Sequence, residues 1–194
     1  YGPVGETCAN LLGYYGIKAL ILDKEKNTYP LPRAITWDAE CQRAMSHCEF
    51  LSEVKTRKIR GVDNKDANKK SIMKITMEGF DTYNYQHRIL FIHQPQFDEA
   101  HRENAKKYPT NTIKTGSELL AVDEVNGIIN CTYKNVDTDE KFTVKSKYLL
   151  ACDGANSTVR KLNGIKLNSL DADESWMVVD LSLIHISEPT RLGA

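Results

Sequence analysis

Apolar positions along the 194-residue chain change their period several times, and each change marks an element. Between Gly5 and Tyr15, small or apolar residues at Ala9, Leu11, Leu12 and Tyr15 fall near helical spacing, and Gly13 and Gly16 close the segment. The run IKALILD is short and rich in β-formers, as expected of a parallel strand covered on both faces. Two prolines in NTYPLPRA enforce an extended path. Asp38 is placed to cap a helix over AECQRAMSHCEFLSEV, with Cys41, Ala44, Met45, Cys48 and Leu51 on one side. KTRKIRGVDNKDANKK is densely charged and predicts a solvated loop.

The second half alternates more. SIMKITM and RILFI predict strands around a turn-rich segment with Gly79, Asp81 and Asn84. Pro95 predicts the first position of a helix to about Lys107, with Asp98 and Glu99 in its first turn, where the helix dipole favours them. TIKTG, ELLAVDEV, GIINCTYK, EKFTVKS and KYLLAC follow. The middle three, separated by NG and NVDTDE, predict an antiparallel meander. YLLACDG predicts a buried strand with an abrupt end, and ANSTVRKLNGI a turn and a short helix. SWMVVD reads as one more strand, and no internal repeat is visible.

Composition narrows the classes. The 26 basic and 26 acidic residues balance, so nothing points to a nucleic-acid or anionic membrane partner. No apolar run approaches the roughly 20 residues that span a bilayer. Five cysteines without a C-x-x-C pair predict reduced thiols and a cytoplasmic setting. His47, His87, His93, His101 and His185 lack ligand spacing, so no metal site is expected.

The chemistry-bearing pattern lies at the start. Gly2 and Gly5 ahead of a helix would let a pyrophosphate meet backbone N–H groups at the positive end of the helix dipole. Asp23, closing the next strand, puts a carboxylate within reach of ribose hydroxyls. No strand precedes Gly2, although such a unit needs one, so the chain is expected to start inside the motif.

Four blocks in order, YGPVGETCANLLGYYGIKALILDKE, YPLPRAI, HQPQFDEAH and YLLACDGANSTVRKLNGI, resemble the class A flavoprotein monooxygenases, the aromatic hydroxylases. Within them the likeness is to the 3-(3-hydroxyphenyl)propionate and phenol hydroxylase types. The resemblance implies an α/β fold: an FAD-binding, doubly wound (Rossmann-like) domain with an inserted β-meander and part of a mixed-sheet substrate domain, truncated at both ends.

It also implies roles. Gly2 and Gly5 would be the second and third fingerprint glycines, and Asp23 would bind the adenosine ribose. Arg33 would contact the cofactor along its ribityl and pyrophosphate region, and Gln94 the flavin's sugar chain. Asp153 and Gly154 would lie near the flavin phosphates and the route of the reduced nicotinamide, with Arg160 orienting Asp153. FAD would be the cofactor and NAD(P)H and O2 the co-substrates, with a small phenolic aromatic substrate. No side chain in this stretch is assigned as an acid or base. Other flavoenzymes of the same fold (a reductase, halogenase or epoxidase) and a non-catalytic nucleotide-binding module are the alternatives.

The expected segments are 1–54 and 93–165 for the FAD-binding domain, 55–92 and 166–180 for the substrate domain, and 181–194 as a non-native tail. Leu181 to Arg191 resembles the in-frame translation of a sequencing-library adapter, so the natural chain is expected to end near Asp180. Such a piece, lacking a central strand, is expected to bind FAD poorly by itself.

Overall fold

The computed structural model describes residues 1–31, 34–46, 54–77, 89–168, 170–171 and 175. In chain order these form α1 (Pro3–Tyr14), β1 (Ala19–Asp23), β2 (Thr36–Asp38), α2 (Ala39–Ala44), β3 (Arg57–Lys58), β4 (Gly61–Lys65) and β5 (Ser71–Thr76). They continue as β6 (Ile89–Phe91), α3 (Gln94–Lys106), β7 (Asn111–Thr115), β8 (Ser117–Val125), β9 (Ile128–Asn135), β10 (Lys141–Ser146) and α4 (Thr158–Leu162).

The helix-then-strand start is as the pattern predicts. Pro3 opens α1, where its missing N–H is no loss, and β1 follows the glycine-rich exit of the helix. β1 pairs in parallel with β7, from Ala19 opposite Asn111 to Asp23 opposite Thr115. Parallel neighbours need a long crossover, and here that crossover contains α3, which packs on α1. β8, β9 and β10 form the expected antiparallel meander. Asn126 and Gly127, both at positive φ (53° and 74°), make the tight turn between its first two strands.

A compact apolar cluster of Trp37, Met45, Leu90 and Phe97 joins β2, the end of α2, β6 and α3. Trp37 meets Phe97 edge to face, with ring centroids 4.9 Å apart. Asp38 caps α2 as expected, its Oδ1 accepting from the Cys41 N–H at 2.8 Å. That bond holds the Asp38 carboxyl below its usual range.

Several expectations are corrected. Of the residues at helical spacing, Ala9, Leu11, Leu12 and Tyr15, only Ala9 is buried, and the buried face of α1 is otherwise Glu6, Asn10 and Gly13. Tyr15 is exposed because it lies beyond the last helical turn. On α2 the inward residues are Gln42 and Met45, and Cys41 is exposed; Cys48 and Leu51 lie outside the described residues. α3 starts at Gln94, so Asp98 sits in its second turn, buried, rather than in the exposed first turn.

The charged stretch after Lys55 is solvated, as expected, yet it is not a loop. Gly61–Lys65 forms β4 and pairs with β5 in an antiparallel hairpin that leaves every residue of both strands exposed. Cross-strand bonding makes this strand without any apolar run, including a hydrogen bond from Ser71 Oγ to Asp63 Oδ1. YLLAC is the reverse case. No strand forms there, and Tyr148 and Leu150 are 83% and 57% exposed. Apolar character alone does not make a strand, and none of the described strands pairs with it.

Candidate functional site

α1 presents an open N-terminus. Gly2 is its N-cap, in extended conformation (φ −90°, ψ −165°), and no side chain caps the helix. The first intrahelical bond runs from the Glu6 N–H to the Gly2 carbonyl at 2.8 Å. The N–H groups of Val4 and Gly5 therefore precede the ladder and point out of the helix end, where the dipole is positive. A Cβ placed on Gly2 would have no atom within 4 Å. The two glycines thus leave a cradle that side chains would fill, and it suits an anion approaching the backbone closely.

The segment leading to Asp153 runs against the first turns of this helix. A Cβ on Gly5 would lie 3.4 Å from the Cys152 Cβ, and the Cys152 and Cys8 sulfurs are 4.0 Å apart. Burial, with Cys8 beside it, pushes the Cys152 thiol up. Gly154 takes φ 78°, the left-handed conformation that lets the chain turn sharply after Asp153.

Asp153 is held by the start of α4. Its Oδ2 accepts from the Val159 N–H at 3.1 Å, and the Ser157 side chain caps α4 by accepting from the Arg160 N–H at 3.0 Å. Partial burial opposes the Asp153 charge, but the hydrogen bonds from Ser157 and Val159 outweigh it and keep the carboxyl below its usual range. The expectation that Arg160 orients Asp153 is corrected. The Arg160 Nη1 instead donates to the Ala155 carbonyl at 2.7 Å, bracing the turn, while α4's own N–H groups orient the carboxylate.

Asp23 ends β1 as the pattern requires. Its Oδ1 accepts from the Glu25 N–H at 3.1 Å and its Oδ2 from the Arg102 guanidinium at 3.1 Å. Arg102 also donates to the Tyr1 carbonyl and, through Nε, to Glu6 Oε1 at 2.8 Å. Burial works against the Arg102 charge, and Glu6 and Asp23 more than restore it, so its proton is held more tightly than usual. A cavity of about 420 Å³ adjoins this cluster, lined among others by Tyr1, Thr28, Arg102, Lys106 and Ile113.

Gln94 opens α3. Its Oε1 accepts from the Ala34 N–H at 2.7 Å, and its Nε2 donates to Asp98 Oδ2 at 3.3 Å. It therefore ties Ala34 to α3; Arg33 lies outside the described residues. Asp98, 4% exposed, has its pKa pushed up to about 7 by burial and then by the Glu6 charge, against the pull of Gln94 and Arg102.

The structure thus brings together the Gly2–Gly5 cradle, the approach to Asp153 and, through Arg102, Asp23. Sequence reasoning missed Glu6, Asp98 and Arg102. Their signal was polar spacing: Glu6 and Asn10 are four apart on α1, and on α3 Asp98, His101 and Asn104 are three apart with Arg102 four after Asp98. Among the described residues no helix is long and apolar enough to cross a membrane, and no His, Cys, Asp and Glu side chains cluster to hold a metal ion.

A parallel β-pair beside an uncapped glycine helix, with a carboxylate at the strand end, defines a dinucleotide-binding protein of α/β class. The chain belongs to the FAD-binding domain family, whose model matches residues 1–190. It is 30% identical over 193 residues to a 3-(3-hydroxy-phenyl)propionate/3-hydroxycinnamic acid hydroxylase of Escherichia coli O139:H28, covering 97% of this chain and 34% of that protein. A relative with the same name from Comamonas testosteroni is 29% identical over 182 residues, with 93% and 30% covered.

Among solved structures, p-nitrophenol 4-monooxygenase from Pseudomonas putida DLL-E4 is similar, with TM-score 0.74, 23% identity, and 84% of this chain and 41% of that one covered. A flavin-dependent monooxygenase in complex with FAD and substrate gives TM-score 0.67 at 18% identity, with 84% and 30% covered. These two likenesses establish the fold. The chain spans about a third of the length of the curated relatives it matches.

Proposed function

We propose that this chain is the FAD-binding part of an NAD(P)H- and O2-dependent monooxygenase that hydroxylates a phenolic ring. The observation that carries the reading is the convergence on one helix end of the glycine cradle and the Cys152–Asp153 segment, in a chain of the FAD-binding family. The curated relatives, named as hydroxylases of hydroxyphenyl compounds, supply the substrate class.

The residues present suit FAD. The Val4 and Gly5 N–H groups would receive the pyrophosphate, and the open space at Gly2 admits its close approach. Asp23, held by Arg102, would accept from ribose hydroxyls. Asp153, ionised and aimed by α4, and Gly154, which gives the turn, would border the phosphates, and Arg160 would brace that turn through Ala155. Gln94, fixed in part by the Ala34 N–H, would meet the flavin's sugar chain, and Arg33 the ribityl and pyrophosphate region. Bound flavin supplies hydride acceptance and oxygen activation. This chain's side chains bind and orient it.

The test uses the full-length protein that carries this sequence. It should purify with stoichiometric yellow flavin and oxidise NAD(P)H faster when a phenol is added, with matching oxygen uptake. Purified protein without flavin, or NAD(P)H oxidation indifferent to phenols, would overturn the reading.

A further inference from the structure

A carboxylate in the first turns of a phosphate-binding helix needs an explanation. Glu6 is fully buried on the inner face of α1, one turn from the open N-terminus. An uncompensated charge there is costly, and it would oppose the approach of a pyrophosphate. Its partner comes from α3: the Arg102 Nε donates to Glu6 Oε1 at 2.8 Å, and His101 Nδ1 lies 3.6 Å from Glu6 Oε2.

The same guanidinium reaches the end of β1. Its Nη2 donates to Asp23 Oδ2 at 3.1 Å and to the Tyr1 carbonyl, and its plane lies over the Tyr1 ring, 4.8 Å from the centroid. The arginine and aspartate side chains are 12% and 10% exposed, so solvent screens the pair weakly. With Oδ1 on the Glu25 N–H and Oδ2 on Arg102, both oxygens of Asp23 are fixed in direction. Each carboxylate oxygen has a second lone pair for an incoming hydroxyl.

We propose that Arg102 is a positioning residue of the cofactor site: anchored on buried Glu6, it sets the orientation in which Asp23 meets the ribose hydroxyls of FAD. This inference rests on the FAD reading above. A lysine could not replace it, because a point-charge ammonium lacks the planar fork that serves Glu6 and Asp23 from different nitrogens.

The experiment measures FAD affinity by flavin fluorescence quenching in the full-length apoprotein, for the unsubstituted chain, Arg102→Lys, Asp23→Asn and the double variant. Arg102→Lys should weaken FAD binding roughly tenfold, the scale of one charge-assisted contact. In the Asp23→Asn background it should cause no further loss, because it acts through Asp23. Binding of FMN, which lacks the adenosine ribose, should change less than about twofold.

Retention of FAD affinity in Arg102→Lys, additive losses in the double variant, or an equal loss for FMN would overturn the proposal. Should Arg102→Lys fail to fold, the pair Glu6→Gln with Arg102→Gln, which removes both charges together, takes its place with the same outcomes. If the unsubstituted protein binds no FAD, the proposed function itself fails, and that result is visible before any substitution is compared.

Discussion

The α1–α3 interface and the β4–β5 hairpin are built on opposite rules. Between the helices nearly everything is buried and much of it is polar: Glu6 and Asn10 are fully buried, and His101 is 2% exposed. Asn10 Nδ2 donates to the Glu6 and His101 carbonyls, Asn104 Nδ2 donates to Asn10 Oδ1, and Asn111 Nδ2 bridges the Ala9 and Ala105 carbonyls. In the hairpin every residue of both strands is exposed, including apolar Val62, Ile72, Met73 and Ile75. Polar side chains are buried where hydrogen bonds tie them to the facing helix, as at Asn10 and Asn104, although Glu6 Oε2 and Asp98 Oδ1 are buried without one. Apolar groups stay exposed where nothing in the described residues packs on them. The first region fixes one geometry through hydrogen-bond direction. The second is held by its ladder alone.

If that contrast is right, substitutions in the two regions differ sharply. The largest effect is expected at Gly13, where a Cβ would lie 2.4 Å from Tyr108 Cγ and 2.7 Å from its Cβ. The clash falls at the root of the tyrosine side chain, which a rotamer change cannot clear. Gly13→Ala should cost about 3 kcal/mol in urea unfolding, and adding Tyr108→Ala should restore part of it. An unchanged midpoint would mean that α1 and the Tyr108 turn are not in contact.

A smaller, pH-dependent effect is expected at Asp98. Its folded pKa of about 7 lies above the unfolded value near 4, so the native state holds more protons between those limits. Stability should therefore fall as pH rises from about 4 to about 7 and level off above. Asp98→Asn should flatten that slope and raise stability at pH 8 by about 1–2 kcal/mol relative to the parent. A slope that persists in the variant would place the titration elsewhere.

The smallest effect belongs to the hairpin. Ile72, 72% exposed, should accept Ile72→Lys in this chain with a change within about 0.5 kcal/mol. A large loss would show that the hairpin is covered and that the contrast fails.

Legibility in the sequence followed the same division. Elements whose cause is local could be read: Gly2 before a helix, Asp23 at the end of IKALILD, Asp38 as a cap, and the three strands of the meander around Asn126–Gly127, although Gly5 falls inside the helix rather than ahead of it. Elements whose cause is a partner could not. YLLAC has the composition of a buried strand but pairs with none of the described strands, while Gly61–Lys65 has the composition of a loop and becomes a strand because β5 pairs with it. The Glu6–Arg102–Asp23 link was invisible for the same reason. Glu6 and Arg102 read as ordinary surface charges until α1, α3 and β1 meet.

The central claim is that segments about 144 residues apart meet at one helix end to form a cofactor cradle. Cys8 and Cys152 report that meeting without any cofactor, their sulfurs standing 4.0 Å apart across α1 and the approach to Asp153. Treating the folded, full-length protein with a mild thiol oxidant and mapping its peptides by mass spectrometry without reduction should give a Cys8–Cys152 cross-link with the loss of two hydrogens. Cross-links of Cys8 only to other cysteines, or none while both thiols remain alkylatable, would separate the glycine helix from the Asp153 corner and contradict the account.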